Sequence, residues 1–330
     1  MMMKRLFTLC LAMVMALSLA ACGTSKTPTT SSTPADTSVE PTSTGHPAFH
    51  AGSGSRRALT AEDGTEVLVS KSTAYDIVYP EASDAQKAIQ KDLEQVVADF
   101  HKDSNKQEED AQTYYQEFLK GGGKKEAFTP YTFELTCKPL RADNNVVSIL
   151  FYSYAYCGGA HGSLATFARN YDAKTGKVLT MKDLGDGVGT LAIDNVVKFV
   201  DAIQDHGDAF FFDKVKADDE SVQSMLTDGN FYLSQDGLVL IDGEYLLQPY
   251  AAGIAEFTTS YDDLKGKLKE EYALTGGSTN CVGSGSVYTF DKDGKLVSTK
   301  TDYDPAVSDD GAGNTNTAQD AADGSVSASN

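Results

Sequence analysis

Two long runs of aromatic and β-branched residues, separated by a short polar turn, place the strongest constraint on the fold. They cover Tyr131–Lys138 and Val146–Tyr156, with the turn centred near residues 143–144. Residues of these types favour strands, and a short turn between two such runs is typical of an antiparallel hairpin. The chain therefore contains at least one antiparallel sheet.

Helical patterns alternate with these strand patterns. Apolar residues at helical spacing predict an amphipathic helix over 83–102, with Ser83 as its cap. Further helices are predicted around 111–119, 191–203 and 261–272, and further strands at 65–70, 74–78, 166–171, 178–180, 231–233, 238–241, 244–247, 255–260, 286–290 and 295–298. The mixture indicates an α+β fold, with antiparallel sheets and a few helices packed on one face.

The N-terminus has the pattern of a bacterial lipoprotein signal. Lys4 and Arg5 precede a short apolar run, Leu6–Ala21, and small residues then precede Cys22. This pattern predicts cleavage before Cys22 and acylation of its thiol, for example with palmitate. The alternative is an ordinary signal peptide with an incidental cysteine. We expect the protein on the outer face of the cytoplasmic membrane, attached to the membrane through lipid alone.

Composition divides the chain into segments. Between residues 23 and 46, 13 of the 24 residues are Ser or Thr, which is too polar a stretch to order itself. The end of the chain is rich in Asp, Ala, Gly and Ser. The predicted segments are a signal peptide (1–22), a disordered tether (23–60), a folded middle part (61–275), a late hairpin (276–300) and a disordered acidic tail (301–330).

The charge of the chain limits its partners. It has 28 Lys and Arg against 47 Asp and Glu, a net charge of −19 at pH 7, and loss of Lys4 and Arg5 with the signal would make it about −21. Such a chain repels phosphate backbones, so nucleic-acid binding is excluded. A cationic partner is favoured.

Cysteine use indicates no essential disulfide. After signal removal and lipidation, Cys137, Cys157 and Cys281 remain, which is an odd number. The turn between the two long strand runs would place Cys137 opposite about residue 150, so direct pairing with Cys157 is not expected.

A glycine-rich segment follows the second long strand run. It contains Gly158, Gly159, His161 and Gly162, so the backbone either bends sharply there or approaches another group closely. One interpretation is a nucleophile pair of Cys157 and His161. The favoured alternative is a structural turn whose imidazole bonds a backbone carbonyl.

The sequence predicts no metal centre and no cofactor. The other histidines lack ligand spacing to His161, which argues against zinc. The segment 291–294 begins like a calcium loop but lacks the later acidic ligands, so it is predicted to be a hairpin turn.

Three blocks of sequence resemble the RsiV-like family of extracytoplasmic bacterial domains. They are the glycine segment 158–162, the segment 172–184 that begins Asp-Ala-Lys-Thr-Gly-Lys, and the segment 245–253 that contains Gln-Pro-Tyr. The similarity covers roughly residues 74–268, and its part before 160 resembles the companion domain seen in RsiV and in the peptidoglycan deacetylase PdaC. The resemblance therefore implies a strand-helix companion region (61–160) followed by an RsiV-like domain (161–275). The resemblance implies an α+β fold and a role at the cell surface, and RsiV itself binds lysozyme.

The chain also departs from both relatives. We expect neither the spanning helix and sigma-binding segment of RsiV nor a deacetylase domain after residue 275. The leading hypothesis is therefore a lipid-anchored, non-enzymatic binding module for a cationic wall-active protein such as lysozyme, or for peptidoglycan. The alternatives are a wall-metabolism enzyme and an accessory scaffold for wall enzymes. The predicted contact residues are Gly158, Gly159, His161, Gly162, Pro249, Tyr250 and Gly253, beside the lipidation site Cys22.

Overall fold

A computed structural model of the chain describes residues 45–51, 54–203, 214–243, 246–248, 253–274, 285–290 and 296–302. The strands are β1 (Ala48–Ala51), β2 (Ser55–Thr60), β3 (Glu66–Ser72), β4 (Tyr75–Val78), β5 (Tyr131–Ala142), β6 (Val146–Tyr156), β7 (Ser163–Asp172), β8 (Phe231–Leu233), β9 (Gly237–Ile241), β10 (Ala255–Ser260), β11 (Gly285–Phe290) and β12 (Leu296–Asp302). The helices are α1 (Asp84–Asn105), α2 (Glu108–Lys120), α3 (Met181–Leu184), α4 (Val188–Ile203) and α5 (Glu220–Ser224). The α+β prediction is confirmed.

The first five-stranded sheet has the order β2-β3-β5-β6-β7. All neighbours are antiparallel except β3 and β5, which run parallel. Cys137 lies opposite Phe151, one residue from the predicted register. Cys137 and Cys157 are both thiols, and Cys281 lies outside the described residues.

Helix α1 covers one face of this sheet, as its sequence pattern predicted. The Ser83 side chain accepts a hydrogen bond from the Gln86 backbone N–H at 3.0 Å, which caps the helix. One stripe of the helix is buried against strands β3, β5, β6 and β7, and α2 adds Ala111 to the same core. The buried positions of α1 that join this core are Ile89, Leu93, Val96 and Phe100.

The second five-stranded sheet has the order β12-β11-β10-β9-β8. β10 pairs antiparallel with β9 and parallel with β11, so both sheets are mixed and not purely antiparallel. α4 packs on one face of this sheet through Val196, Phe199 and Val200. Strands β11 and β12 pair antiparallel in the region where a late hairpin was predicted.

The two sheets meet through β7 and β8. The Asn170 side chain donates to the carbonyl of Phe231 at 2.8 Å and accepts from the N–H of Leu233 at 3.1 Å. A small apolar core surrounds this junction and includes Leu150 and Tyr232. Residues on the face of β5–β7 opposite α1 therefore face the second sheet.

The predicted tether extends too far. The stretch 23–60 was predicted to be disordered, but it contains β1 and β2. Strand β2 is held by polar contacts that its own sequence does not reveal. The Ser55 hydroxyl lies 2.8 Å from Nε2 of His101 and 2.7 Å from the Ser72 hydroxyl, which ties β2 to α1 and β3.

The predicted boundary between residues 160 and 161 is also wrong, because it falls between paired strands. β6 and β7 pair along Val146–Ala155, so the first sheet needs residues from both sides of that boundary. The first structural unit therefore continues past residue 160.

Three predicted elements differ from those observed. Residues 261–267 form turns and only Glu270–Tyr272 forms a short 3-10 helix, because Gly266 has a φ of 78° that interrupts the helical pattern. Val178 makes one isolated bridge with Tyr171 and forms no strand. Leu246 lies in a turn, and residues 244–245 lie outside the described residues.

Candidate functional site

The glycine segment forms the turn between β6 and β7. Gly158 and Gly159 have φ values of 83° and 95°, which other residue types seldom adopt. The Tyr156 hydroxyl donates to the carbonyl of Gly159 at 3.2 Å. The turn is therefore a defined bend at one end of the first sheet.

His161 is exposed on this turn and its imidazole bonds its own neighbour. Nδ1 lies 2.8 Å from the carbonyl oxygen of Gly162. Because a carbonyl only accepts, Nδ1 carries a proton in this arrangement. Cys157, by contrast, packs against the core on the α1 side of the sheet. The geometry agrees with the structural-turn interpretation of the segment.

Gly162 has a second role, which is to make room for a tyrosine ring. A Cβ atom at residue 162 would lie 2.5 Å from three atoms of the Tyr154 ring, closer than real contacts allow. The ring of Tyr154 therefore rests against the Gly162 backbone. This contact links the glycine turn to the face of the sheet that α1 leaves uncovered.

The other predicted contact loop lies before β10. Pro249, Tyr250 and the lipidation residue Cys22 lie outside the described residues. Gln248 is buried, and its amide donates to the carbonyl of Gly253 at 2.9 Å. Gly253 itself is exposed. The structure thus brings Gly158, Gly159, His161 and Gly162 together in one turn and places Gly253 on a separate loop.

Sequence reasoning missed a set of side chains on the face of the first sheet opposite α1. Tyr152 and Tyr154 occupy alternate positions on β6, so both side chains project from the same face. Leu164 on β7 is the cross-strand neighbour of Tyr154. All three are partly exposed. The alternation of tyrosines was visible in the sequence, but which face of the strand packs against α1 was not.

Polar atoms lie in the next row of the same face. Thr136, Tyr152 and Thr166 are directly opposite one another on β5, β6 and β7. The hydroxyl oxygens of Thr136 and Thr166 are buried and have no hydrogen-bond partner among the described residues. Buried hydroxyls without partners are uncommon in native proteins and call for an explanation.

Glu256 on β10 adds a buried carboxyl from the second sheet. It is 3% exposed, and its Oε2 atom has no hydrogen-bond partner in the described part of the chain. Burial raises the pKa of this carboxyl to about 7, although a hydrogen bond from Tyr232 and the charge of Lys138 act in the opposite direction. At neutral pH the group is therefore protonated in a large fraction of molecules.

Neither a metal site nor a membrane span is found in the part of the chain that the structure describes. No group of three or more His, Cys, Asp and Glu side chains is arranged to hold a metal ion there. Over the same residues, no helix has both the length and the apolar character that crossing a bilayer requires.

Comparisons with known proteins match part of the chain. Two solved structures are similar in fold, each at 17% sequence identity. The first is a DUF3298 family member from Bacteroides fragilis NCTC 9343, with a TM-score of 0.49, and the match covers 69% of this chain and 96% of that chain. The second is a DUF3298 family protein from Pseudomonas aeruginosa PAO1, with a TM-score of 0.43, and the match covers 68% of this chain and 95% of that chain. No curated protein matches the chain significantly. Residues 68–164, from β3 to the start of β7, match the family model described as deacetylase PdaC.

Proposed function

We propose that this chain is a lipid-anchored, non-enzymatic binding module at the bacterial cell surface. Its ligand is a component of the wall environment, either peptidoglycan or a cationic wall-active protein such as lysozyme. The observation that carries the proposal is the glycine turn 158–162, whose residues 159–161 are exposed and whose Gly162 lies against the partly exposed ring of Tyr154. Backbone groups on a defined turn, next to an amphipathic ring, are typical of recognition surfaces.

Three further observations support this role. The region that matches the PdaC model, 68–164, includes the whole glycine turn. The net charge of −19 would attract a basic protein over a distance. The Leu-Ala-Ala-Cys sequence that ends at Cys22 would hold the folded part outside the membrane.

Attachment is tested by growing cells with labelled palmitate. We expect label on the wild-type chain and none on Cys22→Ser, because the thiol of Cys22 is the acylated atom. Cys137→Ser is the matched control and should keep the label. Unlabelled wild-type protein would contradict lipid attachment.

Binding is tested with the mature chain carrying Cys22→Ser, which stays in solution. It is mixed with insoluble purified peptidoglycan in a pelleting experiment and with hen-type lysozyme in a calorimeter, at low and moderate salt. Binding to either ligand supports a binding module. Absence of binding to both ligands at both salt concentrations would contradict the proposal.

A second candidate function is an enzyme of wall metabolism. The observation that favours it is the description of the matching family model, which names a deacetylase. The same soluble chain is incubated with acetylated muropeptides, and released acetate and cleaved products are measured. Turnover that is lost in His161→Ala and kept in His50→Ala would support the enzyme and would exclude the non-enzymatic module.

A further inference from the structure

We infer that Ser55 is a nucleophilic serine that accepts an acyl group at its hydroxyl oxygen, with His101 as the base. The donor is an activated acyl ester, and the product is a covalent serine ester with one acyl group per chain. The inference goes beyond the proposed binding function and stands beside it, because a single acylation is a modification of the chain and not turnover.

The nucleophile and the base are brought together from β2 and α1. The Ser55 hydroxyl lies 2.8 Å from Nε2 of His101, a distance at which an imidazole can take a proton from a hydroxyl. Ser55 is exposed and His101 is partly exposed, so an ester in solution can reach the hydroxyl. The pair therefore has both the contact and the access that a nucleophilic serine requires.

Three buried serines surround the imidazole and orient it. The Ser70 hydroxyl lies 3.0 Å from Nδ1, and Ser104 donates to the Ser70 hydroxyl at 3.1 Å. Ser72 is opposite Ser55 in the ladder of β2 and β3, and its hydroxyl lies 3.0 Å from Nε2. In the tautomer that carries its proton on Nδ1, Ser70 accepts that proton and the lone pair of Nε2 is left for a serine hydroxyl. Ser70 thus occupies the place of the third group that orients a catalytic base.

Arg57 adds a positive charge beside this pair. It is two residues after Ser55 on β2, so both side chains lie on the same face of the strand, and its guanidinium bonds Asn105 and pairs with Glu108 at 2.6 Å. Burial, and to a smaller extent the charge of Arg57, lower the pKa of His101 from its ordinary value of 6.5. The imidazole is therefore neutral at neutral pH and can act as a base, while the positive charge favours the negative oxygen that forms on the attacked carbonyl.

The acylation step needs only the ester as a second reactant. Oγ of Ser55 attacks the carbonyl carbon of the ester, and Nε2 of His101 takes the hydroxyl proton. The bond from the carbonyl carbon to the leaving oxygen then breaks, and the imidazolium gives the proton to that oxygen. The products are an acylated Ser55 and a free alcohol, and the imidazole is neutral again.

The test uses the mature chain carrying Cys22→Ser and p-nitrophenyl acetate, with an acid quench and peptide mapping by mass spectrometry. We expect an acetyl group on Ser55 and one equivalent of nitrophenol more than Ser55→Ala releases. Thr60→Ala is the matched control, because it removes an exposed hydroxyl at the other end of the same strand, and it should react like wild type.

The base is tested by the rate of the same reaction. His101→Gln should slow acetylation of Ser55 about a hundredfold or more, because the group that takes the proton is removed. His50→Gln changes an exposed histidine on β1 and should leave the rate unchanged. In the wild type, the rate should fall as the pH is lowered, with a midpoint below 6.5, since a protonated imidazole cannot take the proton.

Each outcome decides the inference. Circular dichroism first confirms that the variants are folded, and the wild-type map and pH profile decide if His101→Gln is not. No acetyl group on Ser55 of the wild type, or an equal rate in folded His101→Gln, would overturn the inference. Release of nitrophenol through Ser55 that continues past one equivalent would show an esterase, which rejects the acceptor and the non-enzymatic function together. Acetylation of Ser55 in a chain that binds neither peptidoglycan nor lysozyme would uphold the inference and reject only the proposed function.

Discussion

At the scale of single residues, two buried carboxyl groups make stability depend on pH. Asp242 follows β9 and is fully buried, and burial raises its pKa to about 7 despite backbone hydrogen bonds from Leu247 and Gly243. Glu256 on β10 has a pKa of about 7 for the same reason. Because both folded-state values exceed the unfolded ones, the native state binds the extra protons between about pH 4 and pH 7.

We predict that stability falls as the pH rises from about 4 to about 7 and that Asp242→Asn weakens this fall. The stabilisation from a raised pKa is complete below the unfolded value and is lost as pH rises through the folded value. At pH 8 the Asn variant should be more stable than wild type by on the order of a few kcal/mol. Urea unfolding at a series of pH values from 4 to 8 measures the free energy of unfolding of the wild type and of the Asn variant. Exposed Asp236→Asn is the control and should follow the wild-type curve.

Arg141 is the second residue on which stability depends. Its side chain is 1% exposed and forms a 2.7 Å ion pair with Asp143. It also donates to the carbonyls of Tyr272 and Ala273, both at 3.0 Å, and so ties the β5–β6 hairpin to the segment after β10.

We predict that Arg141→Met destabilises the protein by about 3–5 kcal/mol, because Asp143 is left as a buried charge without its partner. Arg56→Met is the control, since its ion pair with Glu66 is about half exposed. That control should cost under about 1 kcal/mol. Denaturant midpoints of the two variants measure the difference, and equal midpoints would show that the buried pair does not support the fold.

At the scale of elements, local signals account for helix α1. The cap at Ser83, the apolar spacing and the end near Asn105 are all present in the sequence within one segment. Strand β2 is different, because it depends on His101, which is more than 40 residues away. Burial lowers the pKa of His101, with a smaller contribution from the charge of Arg57, so the neutral imidazole is the form that holds this strand.

We predict that Ser83→Ala lowers the free energy of unfolding by about 1 kcal/mol, since the N–H of Gln86 loses its acceptor. Gln116→Ala, at an exposed position inside α2, makes a comparable change without removing a cap and should leave stability unchanged. Thermal or urea unfolding distinguishes the two. An unchanged midpoint for Ser83→Ala would mean that solvent replaces the cap.

At the scale of the whole molecule, the first sheet is built from segments far apart in the chain. β3 pairs with β5 across both α1 and α2, and β7 completes the sheet after the glycine turn. The core beneath this sheet includes Phe167 and Tyr171 from β7.

We predict that a fragment ending at residue 160 does not fold cooperatively, whereas residues 45–302 do. Removing β7 exposes the hydrogen-bonding edge of β6 and takes Phe167 and Tyr171 from the core. Chemical-shift dispersion and the cooperativity of urea unfolding compare the two chains. A sharp unfolding transition for the short fragment would contradict this account and support the domain boundary at residue 160 that the family resemblance implied.

The candidate site could be predicted only in part. The glycine turn was apparent because three glycines and a histidine follow a strong strand pattern. The placement of Tyr152 and Tyr154 on the face opposite α1 was not, since alternation along β6 is compatible with either face packing against the helix. Glu256 gave no signal, because a single Glu in a short strand is usually at the surface.

By itself, the sequence determined the local structure: the β5–β6 hairpin, the cap and buried stripe of α1, and the bend at Gly158–Gly162. These follow from residues within one or two turns of each other, where spacing and backbone preference decide the conformation. Only the tertiary structure decided that β2 joins the first sheet, that the face of β5–β7 opposite α1 meets the second sheet, and that Glu256 and the hydroxyls of Thr136 and Thr166 are buried. Burial depends on which distant segments pack together, and no local pattern contains that information.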